Sequence, residues 1–383
     1  MKLAVLATDN REHDSAYSDP APRFCTGVQS LLTGFASIPD LEVHLVSCSK
    51  KPMAAPEKLA PNIYYHCLVV PQFGWLRTLY QGCIRATRRK LREINPDLVH
   101  GMGLERDACI SAVLSGIPCV VSIHGNMAET ARLAKARIGS YLWLTARLEN
   151  FTLPRAIGVF CNSAYTEALA RPRSKKTWRV AHALRPYFLD PPPNLNPRPC
   201  SLLVAGVIQP RKRQLELLDV AEELHRRGLK FEMRFIGIIY DRTDPYVTAF
   251  LKRIKPMEAA GYAKFLGTPT DAELVSHFDA VSGMIHFPTE EAFGNVVCES
   301  LARGLKFFGS KVGGIADIAG DVPGAELFDL NDWKGLTDAI ARWIGNGHPL
   351  LPDAPGLMRS RFHHDVIARR HLEIYRESLN TRA

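Results

Sequence analysis

The sequence contains no run approaching the roughly 20 consecutive apolar residues that a membrane-spanning helix needs, so an integral membrane protein is not expected. Nine cysteines are present, yet none forms a C-x-x-C pair. The usual spacing signature of zinc and redox sites is therefore missing, and reduced structural thiols are the expectation. No D-x-D sequence occurs, so no two-carboxylate cradle for a divalent ion is evident. Repeats of solenoid length and low-complexity tracts are also absent, which argues against a repeat array or a disordered chain. The opening MKLAVLATDNREHD brings charge too soon after its short apolar run for a secretion signal. It reads instead as the first buried strand of a cytoplasmic protein.

What is present is ordinary globular composition, 46% apolar and 23% charged, over 383 residues. That length exceeds what one core usually organises, so two domains are expected. A net charge of +9 suggests anionic partners, whether nucleic acid, acidic lipid or a phosphorylated small molecule. Short apolar runs alternate with helical-period segments, the grammar of β-α-β units and parallel sheets. KLAVLAT, LEVHLVS, DLVHGMG, PCVVSIHG and AIGVFCNS read as strands of a first doubly wound domain, residues 1–184. RPYFLDPPPNLNPRP, residues 185–199, reads as a linker because proline fixes φ and removes a backbone donor. The grammar restarts over residues 200–360 with SLLVAGVI, KFEMRFIGI, AKFLG, AVSGMIHFP and LKFFGS. Residues 361–383 hold a last helix, HDVIARRHLEIYRESL, with Ile367, His371, Ile374 and Tyr375 on one face and no strand partner.

The stretch TEEAFGNVVCESLARG, residues 289–304, places two carboxylates either side of a glycine that opens a helix. Ligands of open α/β sheets sit beyond the carboxyl ends of strands, where helix N-termini present unpaired N–H groups. Asn295 is expected to cap the helix, Gly304 to stop it, and Gly294 to admit a close anion favoured by the helix dipole. Glu299 shares a helical face with that anion site one turn deeper, and Glu291 hangs at its mouth. A nucleotide-diphosphate sugar satisfies this pattern, with carboxylates matched to vicinal hydroxyls. The alternative is an ordinary solvated helix with a loop charge. Arg211 and Lys212 stand at the start of another helix, where cations oppose the dipole unless an anion offsets them. A diphosphate would do so, and a merely soluble basic loop is the other reading.

The stretch resembles the paired-glutamate motif of the retaining glycosyltransferases of family 4, and the likeness continues through the RK loop, PCVVSIHGN and VFCNSAYTEAL in the family's order. The resemblance implies a GT-B fold, two Rossmann-like domains facing a cleft, with the C-terminal helix returning to the first domain. It implies donor binding by Arg211, Lys212, Phe293, Gly294, Asn295, Val296 and Glu299, with Glu299 on the ribose and Glu291 on a donor-sugar hydroxyl. His124 matches the family's cleft histidine, and Gly27 a first-domain loop near phosphate and acceptor. His124, Glu291, Arg211 and Lys212 would then carry the chemistry, a metal-independent transfer with retention from a UDP-sugar to a glycan, lipid-linked or small-molecule hydroxyl. No cofactor is expected beyond the donor itself.

The chain departs from the family pattern where Val207 replaces an arginine, where AHALRPYF replaces an asparagine, and where the second glycine of the first loop is missing. These changes bear on donor and acceptor specificity. A second feature is FGWLRTLYQGCIRATRRKLREINPD, where Leu76, Leu79 or Tyr80, Cys83, Ile84 and Leu91 oppose Arg77, Arg85, Arg88, Arg89 and Arg92 at helical spacing. Residues 75–92 would suit an anionic membrane or simply a solvated face. Nucleic acid is not expected, because aromatics do not interleave with the basic residues. Two other functions share the pattern: a nucleotide-sugar epimerase and a non-catalytic nucleotide-sugar-binding module.

Overall fold

The computed structural model describes residues 1–190 and 199–380. The chain divides into two compact units, one of residues 1–185 and 362–383, the other of residues 186–361. In the first unit the strands are β1 (Lys2–Leu6), β2 (Glu42–Ser49), β3 (Lys58–Ala60), β4 (Ile63–Val69), β5 (Leu98–Met102), β6 (Cys119–Ile123), β7 (Val159–Cys161) and β8 (Thr177–Arg179). Their order is β3-β4-β2-β1-β5-β6-β7-β8, parallel except for the β3–β4 pair. In the second unit β9 (Ser201–Ala205), β10 (Glu232–Ile236), β11 (Ala263–Phe265), β12 (Gly283–His286), β13 (Lys306–Ser310) and β14 (Glu326–Phe328) form a parallel sheet in the order β11-β10-β9-β12-β13-β14. Strand order therefore reverses between β1 and β5 in one unit and between β9 and β12 in the other. Ligand sites of doubly wound sheets open at such reversals, beyond the carboxyl ends of the strands.

The central strands are the continuous apolar runs of the sequence, buried because helices cover both sheet faces. Four strands escaped the sequence reading. β3, β8 and β14 are three residues long, each with a charged residue and partial exposure, and β4 mixes Tyr64, His66 and Cys67 into a half-buried strand near the sheet edge. Of the proline-rich stretch 185–199, residues 191–198 lie outside the described residues. Pro186–Phe188 form a 3-10 turn whose Phe188 is buried in the second unit, edge-on to Phe278 at 5.1 Å. Arg303 and Arg359 donate to the carbonyls of Asp190 and Leu189, so this turn is part of the second unit's packing.

The last helix, His364–Asn380, returns to the first unit and buries Ile367, His371, Ile374 and Tyr375 there. It lies against the helix Thr26–Ala36 at Gly34, where a Cβ would stand 2.3 Å from the His364 carbonyl. His371 stacks on Phe160 at 4.7 Å, while the Tyr375 hydroxyl lies 2.6 Å from Nδ1 of His100, whose Nε2 meets Ser122 at 2.7 Å. Burial pushes His100 well below the ordinary imidazole range, so this hydrogen-bonded seam is uncharged. The helix is thus pinned to the floor of the sheet that ends at His124.

The basic segment differs from the helix expected over residues 75–92. Two 3-10 turns, Gln72–Gly74 and Leu76–Thr78, precede the helix Gln81–Ile94, and Leu79 and Tyr80 between them have positive φ. The left-handed pair breaks the helical register, which moves Arg77 off the face of Arg85, Arg89 and Arg92. Among the described residues no helix is long and apolar enough to cross a membrane.

Candidate active site

In the second unit the loops after β9 and β12 meet at the strand-order reversal. The β12 loop runs from Phe287 to Gly294, and Gly294, at φ +102°, turns directly into the helix Asn295–Ala302. The helix has no side-chain cap. Asn295 is its first helical residue and not the capping side chain expected, because the capping position is taken by a left-handed conformation that glycine adopts without steric cost. Gly313 and Gly314 hold the loop from behind. A Cβ on Gly313 would sit 1.8 Å from the Glu291 carbonyl, and one on Gly314 2.4 Å from that of Phe293. The Gly314 N–H also donates to the Glu291 carbonyl at 3.1 Å.

Glu299 follows one turn into the helix and is 1% exposed. A carboxylate so deeply placed is not the solvated surface charge of the alternative reading. Phe293 is buried beneath the loop, whereas Asn295 and Val296 are half-buried at its surface.

Arg211 and Lys212 occupy a 3-10 turn, Pro210–Lys212, and the helix Gln214–Arg226 starts only after Arg213, which has positive φ. Neither cation waits for a ligand charge. Arg211 Nη1 donates to the Glu290 carbonyl at 2.7 Å and reaches its carboxylate at 3.3 Å, while Lys212 donates to Glu291. His286, the last residue of β12, places Nε2 2.8 Å from the same Glu291 oxygen. The offset that the sequence argument assigned to a diphosphate is thus supplied here by neighbouring carboxylates. Burial would push the Glu291 carboxyl up, but the Lys212 ammonium and His286 override it and hold it far below the carboxylate range. Burial and the same ammonium lower His286, against the pull of Glu291. The Lys212 stem passes over Gly206 at the end of β9, the nearest approach being 3.7 Å from a Cβ position there.

The first unit gathers a second set. His124 follows β6, with Nδ1 3.5 Å from the Cys25 thiol and its ring 5.2 Å from that of His182, edge to face. Asn162 links them, donating to the His124 carbonyl at 3.2 Å and lying 3.3 Å from His182 Nε2. Gly27 leaves room for His182, since a Cβ there would be 3.2 Å from its ring. A cavity of about 20 Å³ lies among Gly27, Ser122, His124, Asn162, His182 and His371. Burial lowers the His124 pKa, with Glu105 opposing, so the imidazole is neutral at physiological pH.

Sequence reasoning found His124 and Gly27 but missed His182, Asn162 and Cys25. Asn162 stood in the quoted VFCNSAYTEAL, and His182 stood in AHALRPYF behind the unread strand β8. It also missed His286, Glu290, Gly313 and Gly314. A histidine closing a buried strand five residues before a glutamate was the one available signal.

Residues 26–182 match Glycosyltransferase Family 4, and residues 189–353 match Glycosyl transferases group 1. Together the two matches span most of the chain, in the order of the two units. The chain belongs to the family 4-like glycosyltransferases. No curated protein matches it by sequence. Among solved structures it is similar to a sucrose-phosphate synthase from Thermosynechococcus elongatus, with a TM-score of 0.75 and 17% identity, covering 100% of each chain. It is also similar to Anabaena HepE solved with UDP and glucose, with a TM-score of 0.69 and 16% identity over 98% of this chain and 99% of that one. The lipopolysaccharide outer core galactosyltransferase WaaB aligns at a TM-score of 0.69 and 13% identity, covering 100% of both. The fold is therefore GT-B.

In this glycosyltransferase the Lys212–Glu291 pair is mostly buried, with side chains 12% and 14% exposed. Lys212→Met strands the carboxylate and should destabilise the protein by about 3 kcal/mol at pH 7. The folded pKa of Glu291 is depressed, so the pair's stabilisation is present above the unfolded carboxylate value and is lost as pH falls through the folded one. In the variant the carboxyl takes up its proton nearer the ordinary range. Urea unfolding should therefore show the gap between the two proteins closing as pH is lowered from 7 into the carboxylate range, and a gap independent of pH would refute the assignment.

Proposed function

We propose that the chain moves a glycosyl group from a UDP-sugar to a hydroxyl acceptor, with retention of configuration and without a divalent metal. The observation that carries the reading is the uncapped, glycine-opened helix Asn295–Ala302 with a buried glutamate one turn in, beside two cations on the adjoining loop. A helix N-terminus favours a phosphate, and a buried carboxylate favours ribose hydroxyls that satisfy both of its oxygens. The relative solved with UDP and glucose adds support for the nucleotide.

On this reading the diphosphate competes with Glu290 and Glu291 for Arg211 and Lys212. Its arrival frees the Glu291 carboxylate to accept a hydrogen bond from the donor sugar. The backbone of Gly294, Asn295 and Val296 then runs along phosphate and sugar, with Phe293 fixing the turn. As the bond between the anomeric carbon and the diphosphate oxygen breaks, Arg211, Lys212 and the helix dipole stabilise the charge that develops. The acceptor oxygen bonds to the same face, and its proton passes to the departing phosphate. His124, uncharged, hydrogen-bonds a hydroxyl of the sugar or acceptor, and Gly27 borders the acceptor loop. Residues 1–184 serve the acceptor and residues 200–360 the donor.

A peripheral contact with an anionic membrane extends this reading. Phe73 is 75% and Leu79 48% exposed, next to Arg77, Arg85 and Arg89, whereas Arg88 is engaged by the Leu114 carbonyl. An apolar edge beside arginines that make no ion pair among the described residues is what an acidic lipid surface attracts.

Thermal melts with UDP, GDP and ADP test the donor site. UDP at about 100 times its dissociation constant adds roughly 2.7 kcal/mol, a shift of a few degrees, and Glu299→Ala should abolish it. A UDP shift that survives Glu299→Ala would remove that residue from the site. Sugar transfer assayed in excess chelator should proceed at the untreated rate, and loss of most activity would overturn metal independence. In liposome pelleting the protein should sediment with anionic and not zwitterionic vesicles. Replacing Arg85 and Arg89 by Ser should weaken that partitioning about thirtyfold, and equal binding to both lipids would dismiss the membrane contact.

A further inference from the structure

Outside the histidine cluster, the first unit carries a pocket of about 520 Å³ lined by Glu12, His13, Lys50, Gln72, Trp75, Leu76, Arg77, Tyr80, Arg106 and Tyr141, a size that suits a mono- or disaccharide. It opens on the ligand face of the sheet. Glu12 lies on the segment after β1, Lys50 directly after β2, and Arg106 on the loop after β5, the strands that flank the reversal.

The charges of this pocket do not cancel. Three lining cations, Lys50, Arg77 and Arg106, face one carboxylate, Glu12. Burial would raise the Glu12 carboxyl, but hydrogen bonds from the Lys50 side chain and backbone lower it, so it stays ionised. It sits 2.8 Å from the Lys50 ammonium and 3.6 Å from Arg106. That single negative charge balances Lys50 and leaves most of the charge of Arg106 unmatched. Arg77 is exposed and, among the described residues, makes no ion pair. The Lys50 and Arg106 head groups are held 5.0 and 4.9 Å from the Trp75 ring centroid, so they are fixed in place and not trailing in solvent. At the rim Tyr141 is 45% exposed, anchored by its hydroxyl to the Glu105 carbonyl at 2.8 Å, and Leu76 is half-buried beside it.

Held cations with an uncovered aromatic face match a saccharide that carries an anionic group. The guanidinium fork takes a phosphate or carboxylate, and the apolar edge takes the ring. The loop after β5 sets this pocket beside the histidine cluster: Glu105 turns toward Gly103, Gly125 and His124, and its neighbour Arg106 turns into the pocket. We infer that this pocket is the acceptor subsite, and that the acceptor is an anionic saccharide whose phosphate or carboxylate is held by Arg77, Arg106 and Lys50. The assignment as acceptor rests on the glycosyl-transfer reading, whereas the anionic-saccharide binding does not.

Isothermal titration of the full chain with glucose 6-phosphate, glucuronate, glucose and inorganic phosphate tests it. At least one of the two anionic sugars should bind saturably, and the arm that binds identifies phosphate or carboxylate as the recognised group. Glucose and inorganic phosphate should each bind about tenfold more weakly or not at all. Arg106→Gln and Arg77→Gln should each weaken the anionic sugar about tenfold, the loss of one charge-assisted contact. Arg77 lies on the surface without an ion pair, so its variant keeps the test valid if Arg106→Gln melts early. Glucose binding as tightly as the anionic sugars, inorganic phosphate binding as tightly as glucose 6-phosphate, no saturable binding of either anionic sugar, or an unchanged affinity in a folded Arg77→Gln protein would each overturn the inference. UDP titrated into the same wild-type sample reports the donor site separately, so failure of the donor reading and failure of this pocket are distinguishable.

Discussion

The second unit depends on a charge cluster that ties two loops across the strand-order reversal. Lys212 and Arg211 from the β9 side meet Glu291 and Glu290 from the β12 side, and His286 closes the set from beneath. Taking two ions out of water costs as much as or more than their mutual attraction returns, so such a cluster is weak as a stabilising device. Its physical value lies in what it keeps available. Removing either sign alone would leave the other stranded, whereas in the proposed exchange a diphosphate takes the cations and the released Glu291 carboxylate is met by hydrogen bonds from sugar hydroxyls. The backbone around the cluster is correspondingly rigid: Gly206 and Gly237 pack so closely that a Cβ on the latter would lie 1.9 Å from the Gly206 carbonyl, and Gly313 and Gly314 leave the 291–293 turn no room to shift. The proposed exchange of partners therefore needs only side chains to move.

The legible parts of the fold were those written in apolar periodicity. Ten strands were readable because central parallel strands are buried on both faces, and the C-terminal helix was readable because Ile367, His371, Ile374 and Tyr375 share one face. β3, β8 and β14 were unreadable because each is three residues that include a charged position and are not buried throughout, whereas the equally short β7 is wholly buried within the apolar run AIGVFC. The break at Leu79 and Tyr80 was equally hidden, since nothing in LY announces positive φ as glycine does. The candidate site shows the same division. Glu299 and Gly294 could be found because a helix opening on glycine is a local pattern. The pairing of Glu290 and Glu291 could not, because their partners lie on a loop 79 residues away in sequence, the separation of Arg211 from Glu290 and of Lys212 from Glu291, whereas His286 offered only its spacing from Glu291. Pairing at that range also inverted one inference: a cation at a helix start does call for an anion, but the chain supplies its own.

Cysteine spacing is blind to proximity of the same long-range kind. Cys48 and Cys83 lie on a strand and a helix, yet with Asp107 their ligand atoms come within 4.8 Å of one another. A spacing rule detects only neighbours that share one turn. Sheet packing brings together residues from separate elements that no linear motif contains, and the His124, His182, Asn162 and Cys25 cluster is built in the same way.

The charge cluster of the second unit and the histidine cluster of the first use opposite electrostatics. At β9 and β12 the side chains are ionised and paired. In the first unit His124 after β6, His100 on β5 and His371 on the last helix are imidazoles that burial keeps neutral: His124 is lowered, His100 well lowered, and His371 brought down to about 4. A neutral imidazole both donates and accepts, so it can orient a hydroxyl without adding a charge that must be balanced. In the proposed transfer the negative charge that develops on the diphosphate is then met within the second unit alone, by Arg211, Lys212 and a helix dipole. The first unit contributes orientation through these imidazoles, while the pocket beside them, lined by Lys50, Arg77 and Arg106, carries positive charge that Glu12 alone does not balance. In that reading each set of cations has its own local partners, Lys50 and Arg106 being held by Glu12 and Trp75, and Arg211 and Lys212 by Glu290 and Glu291.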